Sequence, residues 1–262
     1  MSALARTCLR LAACAALRDV TMAGAEVFDT RLGELPSDDP QNLRPIITVF
    51  TEEQSGNAVS SQNGGPPFRT TVELVLEIAM AVAQRGNDDS EYLISYPSTS
   101  SDLEASLDLI EAQCQRALFE SMAPNSVAFR KAFLRADKTS SVRFAQVDAQ
   151  DRVALRYVSL TMEVPDDAML RFDPTLSGLD LLPKTFRSVA ALWAEGSPEL
   201  DTAMAITAAL AQPGVPLLKT LRINPADNPP ATGPVENWTP PTPEAPGEID
   251  GLPHSADWNM QP

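Results

Sequence analysis

The chain has 262 residues, of which 20 are Lys or Arg and 35 are Asp or Glu, giving a formal charge of −15. An acidic surface opposes the phosphate neutralisation and counterion release that drive nucleic-acid binding, which excludes nucleic acid as the main ligand. No uncharged apolar stretch approaches the ~20 residues of a bilayer helix, and the single histidine, His254, excludes any mechanism that needs two.

In chain order, Arg6 and Arg10 precede an apolar run at 11–17 that ends at Arg18 and Asp19, too short and too poorly flanked for a signal peptide. A helix fits better: Leu4, Cys8, Leu11 and Ala15 share one apolar face. Gly24 suits the left-handed exit of that helix. A short strand at 26–29 follows, then an exposed acidic connection at 32–43 with two prolines. The β-branched and aromatic run at 45–51 predicts a strand, with Pro45 at its start where no ladder N–H is lost.

Residues 52–67 are polar and contain three glycines, which predicts a long mobile loop between two strands, a length that is uncommon unless the loop has a task. Strict period-two alternation then runs through Val72, Leu74, Leu76, Ile78, Met80 and Val82, with Glu73 and Glu77 on the outward face. The Ser and Thr residues at 98–101 and Asp102 supply N-cap chemistry for a second helix. Its apolar stripe is Leu103, Leu107, Ile110, Cys114 and Leu118, and Pro124 stops it. A short amphipathic piece at 127–134 leads to two more strands, near 142–147 and 153–164. Helices are expected at 185–194 and, from the Ser197-Pro198-Glu199 start, beyond 197. From 223 to 262, ten of 40 residues are proline and six are acidic, with no Lys or Arg. Such a segment cannot bury enough apolar surface to offset its ordering entropy.

These elements predict an α+β fold: a mixed or antiparallel sheet of about four strands with two long helices on one face, then a C-terminal helical extension and a Pro-rich tail. The expected boundaries are 1–165, 166–222 and 223–262.

Chemistry-bearing motifs are scarce. The sequence holds no phosphate loop, nucleophile elbow, zincin or EF-hand pattern. Cys8, Cys14 and Cys114 lack chelate spacing and read as buried small hydrophobes in a reducing compartment. The acid pairs Asp38/Asp39 and Asp88/Asp89 read as solvated turns. No catalytic residue, metal or cofactor is expected. A basic cluster, Arg130, Lys131, Arg135, Lys138 and Arg143, reads first as the solvated face of the third helix and second as a docking patch for an acidic partner. Trp238 and Trp258 in the tail read either as incidental or as partner anchors.

Four strings carry a resemblance: Val27-Phe28-Asp29-Thr30-Arg31, Leu43-Arg44-Pro45-Ile46-Ile47-Thr48-Val49-Phe50-Thr51, the alternating run 70–82, and Arg156-Tyr157-Val158-Ser159-Leu160-Thr161-Met162-Glu163. In their order and spacing they resemble the minor tail proteins of long-tailed phages that include the lambda-type tail terminator. The resemblance covers roughly residues 1–165. It implies a non-enzymatic virion protein at the head-proximal end of the tail, assembled in the host cytoplasm as a homo-oligomeric ring, a hexamer in that family. Such a ring halts tail-tube polymerisation, contacts the tail tube protein and the head–tail connector protein, and lets DNA pass through an acidic lumen without specific binding. No membrane is involved. The interface residues expected under it are Gln54, Asn57, Gln62, Asn63, Phe68 and Arg69, with Arg130, Lys131, Arg135, Trp238 and Trp258 for partner docking. The rival expectations are another head–tail joining protein (a tail-completion or connector subunit), a carboxylate-dependent hydrolase, and a cellular adaptor engaging partners through its Pro-rich end.

Overall fold

The structure is a computed structural model that describes residues 3–30, 44–60, 62, 64–65, 67–85, 92–95, 100–143, 154–166 and 176–211. The Pro-rich stretch 223–262, with Trp238, His254 and Trp258, lies outside the described residues.

The fold is α+β. Strands β1 (Val27–Asp29), β2 (Arg44–Ala58), β3 (Phe68–Arg85), β5 (Arg135–Arg143) and β6 (Leu155–Val164) form a mixed sheet in the order β1-β2-β3-β6-β5, and the short β4 (Tyr92–Ser95) pairs with the end of β3 off that path. The sheet therefore has five strands in line rather than four. Only the β1–β2 pair is parallel, and the others are antiparallel. Directly opposed residues share a face, so the ladder Val72↔Met162, Leu74↔Leu160 and Leu76↔Val158 lays one apolar row across β3 and β6, which Ile47 and Val49 of β2 continue. All of these side chains belong to one buried cluster. The alternation in the sequence is the direct cause of this face.

Two long helices, α1 (Ala3–Leu17) and α2 (Ser101–Gln115), lie on that face. The expected single apolar stripe on α1 understates its burial. Every residue from Leu11 to Leu17 is buried, because the sheet covers one side and α3 (Pro124–Lys131), α4 (Lys184–Ala190) and α5 (Pro198–Leu210) cover others. The alanines at 12, 13, 15 and 16 give a narrow helix that neighbours can approach closely. After α1 the chain turns through Gly24, which adopts the left-handed conformation its position predicts (φ 54°), and its N–H donates to the Thr21 carbonyl at 2.9 Å.

Local signals place the remaining helices. Ser100 Oγ accepts from the Leu103 N–H at 3.4 Å to start α2, and Ser197 Oγ accepts from the Leu200 N–H at 3.3 Å to start α5, with Pro198 in the first turn. Beyond Gln115, α2 continues as a π-helical turn (Arg116–Glu120) that brings Phe119 edge-on to Phe129 and Phe133. Pro124 opens α3.

In the segment expected as a helical extension at 166–222, Leu182, Phe186, Val189, Trp193, Ala203 and Ile206 belong to the same buried cluster as α1 and the sheet. Residues 1–221 form a single compact unit. Without α4 and α5, the apolar flanks of α1 would face water.

Candidate interaction surface

Of the polar stretch expected as a mobile loop at 52–67, residues 52–58 are strand. β2 runs to Ala58 and β3 begins at Phe68, with Gln54↔Val72, Asn57↔Arg69 and Ala58↔Phe68 in register. Antiparallel pairing needs only backbone N–H and C=O groups, so a ribbon forms without the apolar side chains that the sequence lacks. The connection is confined to 59–67, where the Val59 N–H donates to the Pro67 carbonyl at 3.1 Å and Gly64 and Gly65 take positive φ. Beyond Thr70, where the β6 ladder ends, only β2 and β3 are paired among the described residues. A β-bulge lies at Glu52 and Glu53, between the pairs Thr51↔Leu74 and Gln54↔Val72. A bulge of this kind re-aims side chains and strengthens the local twist.

The expected interface residues fall along this ribbon. Gln54 and Asn57 are on β2 and Phe68 and Arg69 on β3. Gln62 is exposed in the turn, where its N–H donates to Ser60 Oγ at 3.4 Å. Asn63 lies outside the described residues. The base of the ribbon is anchored: the Phe68 N–H donates to Asp166 Oδ2 at 2.6 Å, and Arg69 lies 3.4 Å from Glu163. The ends of the ribbon are thus paired and tied down within the single chain.

The basic cluster does not form one helix face. Arg130 and Lys131 close α3, whereas Arg135, Lys138 and Arg143 are on β5, which begins at Arg135 rather than near 142. Most of these charges are engaged. Arg130 Nη1 donates to the Leu118 carbonyl at 3.3 Å, Arg135 pairs with Asp137 and lies 3.2 Å from Glu163, and Arg143 lies 3.1 Å from Glu104. Lys131 and Lys138 are exposed and have no ion-pair partner among the described residues.

β5 is the last strand of the sheet, and all of its residues but Ser140 are exposed. Its outer edge therefore offers backbone donors and acceptors that no strand of this chain uses among the described residues. β2 has a second open edge, since β1 pairs only up to Val49 and the Thr30 N–H closes that ladder on the Val49 carbonyl at 2.7 Å. Beyond Val49, the side of β2 away from β3 has no strand neighbour among the described residues.

Behind β5, Arg156 of β6 is the most concentrated electrostatic feature. Only 5% exposed, it donates from Nη2 to Glu104 Oε2 at 3.0 Å and from Nη1 to Glu111 Oε2 at 3.0 Å and to Asp108. Burial works against the guanidinium charge, but the hydrogen bonds to Asp108 and Glu111 outweigh it, so its pKa is held above the ordinary value. The three acids repeat at i, i+4 and i+7 on α2, so one residue on the strand gathers a whole helix face. This arrangement fastens α2 to the sheet. Nothing in the sequence around Arg156 announces it, because its acids are about fifty residues away.

The three cysteines are buried, as expected. Burial, reinforced by Asp29, pushes the Cys14 thiol far above its usual value, and burial together with Glu111 raises Cys114 to about 12. Among the described residues no group of His, Cys, Asp and Glu is arranged to hold a metal ion, and no helix is long and apolar enough to cross a membrane. No protein-family model matches the chain, and no curated protein is similar enough to count as a relative.

Proposed function

We propose that this chain is a structural subunit that tiles with copies of itself: a ring-forming tail terminator of a long-tailed phage, which stops tail-tube polymerisation and offers the docking surface for the head. In this reading it is not an enzyme, works without metal or cofactor, and contacts the tube protein on one side and the head–tail connector protein on the other. The observation that carries it is the β2–β3 ribbon. A polar, two-stranded end of the sheet, anchored at Phe68 and Arg69 and exposed from Asn57 to Ser60, suits contact with a neighbour. The order of helix, short strand, long hairpin, helix and closing strand, with β4, α3 and β5 among them, supports the resemblance on which the reading rests.

Electron microscopy of particles made without this protein tests the reading. Overlong tubes without heads are the expected outcome. Tubes of normal length left unattached to heads would assign it to the connector side of the joint, and complete infectious particles would remove it from the tail altogether.

A further inference from the structure

We infer that the open β2 edge of one copy pairs with the open β5 edge of the next, so that the sheets of neighbouring copies join into one. This rests on the self-assembling reading above and names the surfaces that would execute it. Three independent features of the sheet converge on it.

The first is direction. β2 and β6 run antiparallel to β3, and β5 runs antiparallel to β6, so β5 points with β3 and against β2. Copies placed side by side in the same orientation therefore meet as an antiparallel pair. The second is charge. Residues 51–58 of β2 contain Glu52 and Glu53 and no base, whereas β5 contains Arg135, Lys138 and Arg143 and one acid, Asp137. Opposite charges facing each other across a strand pair are favourable, and like charges are not.

The third is position along the strands. Lys138 is opposite Thr161, and Thr161 is opposite Glu73, all on the sheet face away from the helices. The Glu52–Glu53 bulge lies opposite that same Glu73, between the pairs made by Leu74 and Val72. Joined edge to edge without a shift, the exposed ammonium of Lys138 lands beside the acidic bulge of the neighbour. Charged, bulged edges also serve lone subunits as protection against indiscriminate pairing. Here, however, the two edges carry opposite signs and meet at one level, which protects each edge from its own kind while admitting the other. The resulting contact is head-to-tail, the class that generates rings.

Sedimentation velocity on the full-length chain over a rising concentration series, at about 50 and 500 mM salt, tests the inference. The wild type should self-associate reversibly, and less at high salt. Lys138→Glu alone, or Glu52→Lys with Glu53→Lys, should each weaken association about tenfold. Combining all three changes should restore it, and so should an equimolar mixture of the two single-edge variants, because every neighbour then meets a complementary edge. Thermal unfolding of each variant checks that the fold is intact. If the wild type assembles but the charge changes leave assembly untouched, or the combined changes fail to restore it, the edge pairing is wrong while a ring built through other surfaces stands. A wild type that stays monomeric at every concentration overturns the pairing and removes the ring with it.

Discussion

α1 is held by close packing, with Leu9, Leu17 and a run of alanines all essentially without exposure, whereas α2 buries Leu107, Ile110 and Cys114 and is also held through the carboxylates that Arg156 gathers. Both helices cover the same sheet face, yet their attachments respond to different perturbations. Close packing around α1 is sensitive to volume and indifferent to salt. The clamp on α2 is sensitive to one-sided loss of charge, because the carboxylates gathered by the guanidinium lose its charge and its hydrogen bonds when it goes. The difference follows from location: α1 has protein on several sides, while α2 lies near the β5 edge, where Asp108 keeps 63% of its side chain in solvent.

The sharpest contrast is expected in thiol chemistry. Cys8 and Cys14 of α1 and Cys114 of α2 should all resist iodoacetamide at about pH 8 in the native protein and all react in denaturant, as read by intact mass. Labelling of Cys114 alone would mean that α2 lifts from the sheet while α1 stays. Next in size, Leu17→Ala should cost roughly 2–5 kcal/mol in urea unfolding, the range for a leucine truncated in a close-packed core. Arg156→Ala should cost about 2 kcal/mol, below the ~3–5 kcal/mol of a fully buried pair broken on one side, because its partners retain access to water. In amide exchange that loss should deprotect α2 more than α1.

The smallest effect concerns the opposite sheet face, where Glu77 is opposite Tyr157. Burial raises the Glu77 carboxyl pKa, and the hydrogen bond from Tyr157 offsets part of that rise. A carboxyl whose folded pKa lies above its unfolded one favours the fold when protonated, and that contribution is lost as pH rises through the folded value. Glu77→Gln should therefore be the more stable protein at neutral pH, with the difference closing at about pH 4. Urea midpoints at the two pH values decide it.

The parts of the fold that were legible in the sequence are those where side chains alone dictate structure. The alternation through Val72 to Met80 marked β3, the stripe from Leu103 to Cys114 marked α2, and Ser197-Pro198 marked the start of α5. The ribbon and β5 escaped for one shared reason. Residues 52–58 and 135–143 are exposed on most positions, so neither shows hydrophobic alternation, and both are strands because a neighbour's backbone accepts and donates along them. The number of strands and the start of β5 were misplaced accordingly. Of the proposed surface, Gln54, Asn57, Phe68 and Arg69 stand out in the sequence by their place between two strands. Lys138 was noticed only as one charge in a cluster, because its level relative to Glu52 and Glu53 depends on a register that no local pattern encodes.

The three-residue β1 has a consequence out of proportion to its length. It occupies β2 up to Val49 and leaves the remainder without a strand neighbour among the described residues, so in the proposed edge pairing a strand entering from the ribbon tip would be halted at Asp29 and Thr30. It works as an end stop on a rail. Under the proposed edge pairing, a slip of one residue would turn every side chain to the wrong face, and a stop against slips toward β1 would help keep the step between successive copies identical. Identical steps let a circle meet its own beginning instead of winding on as a spiral.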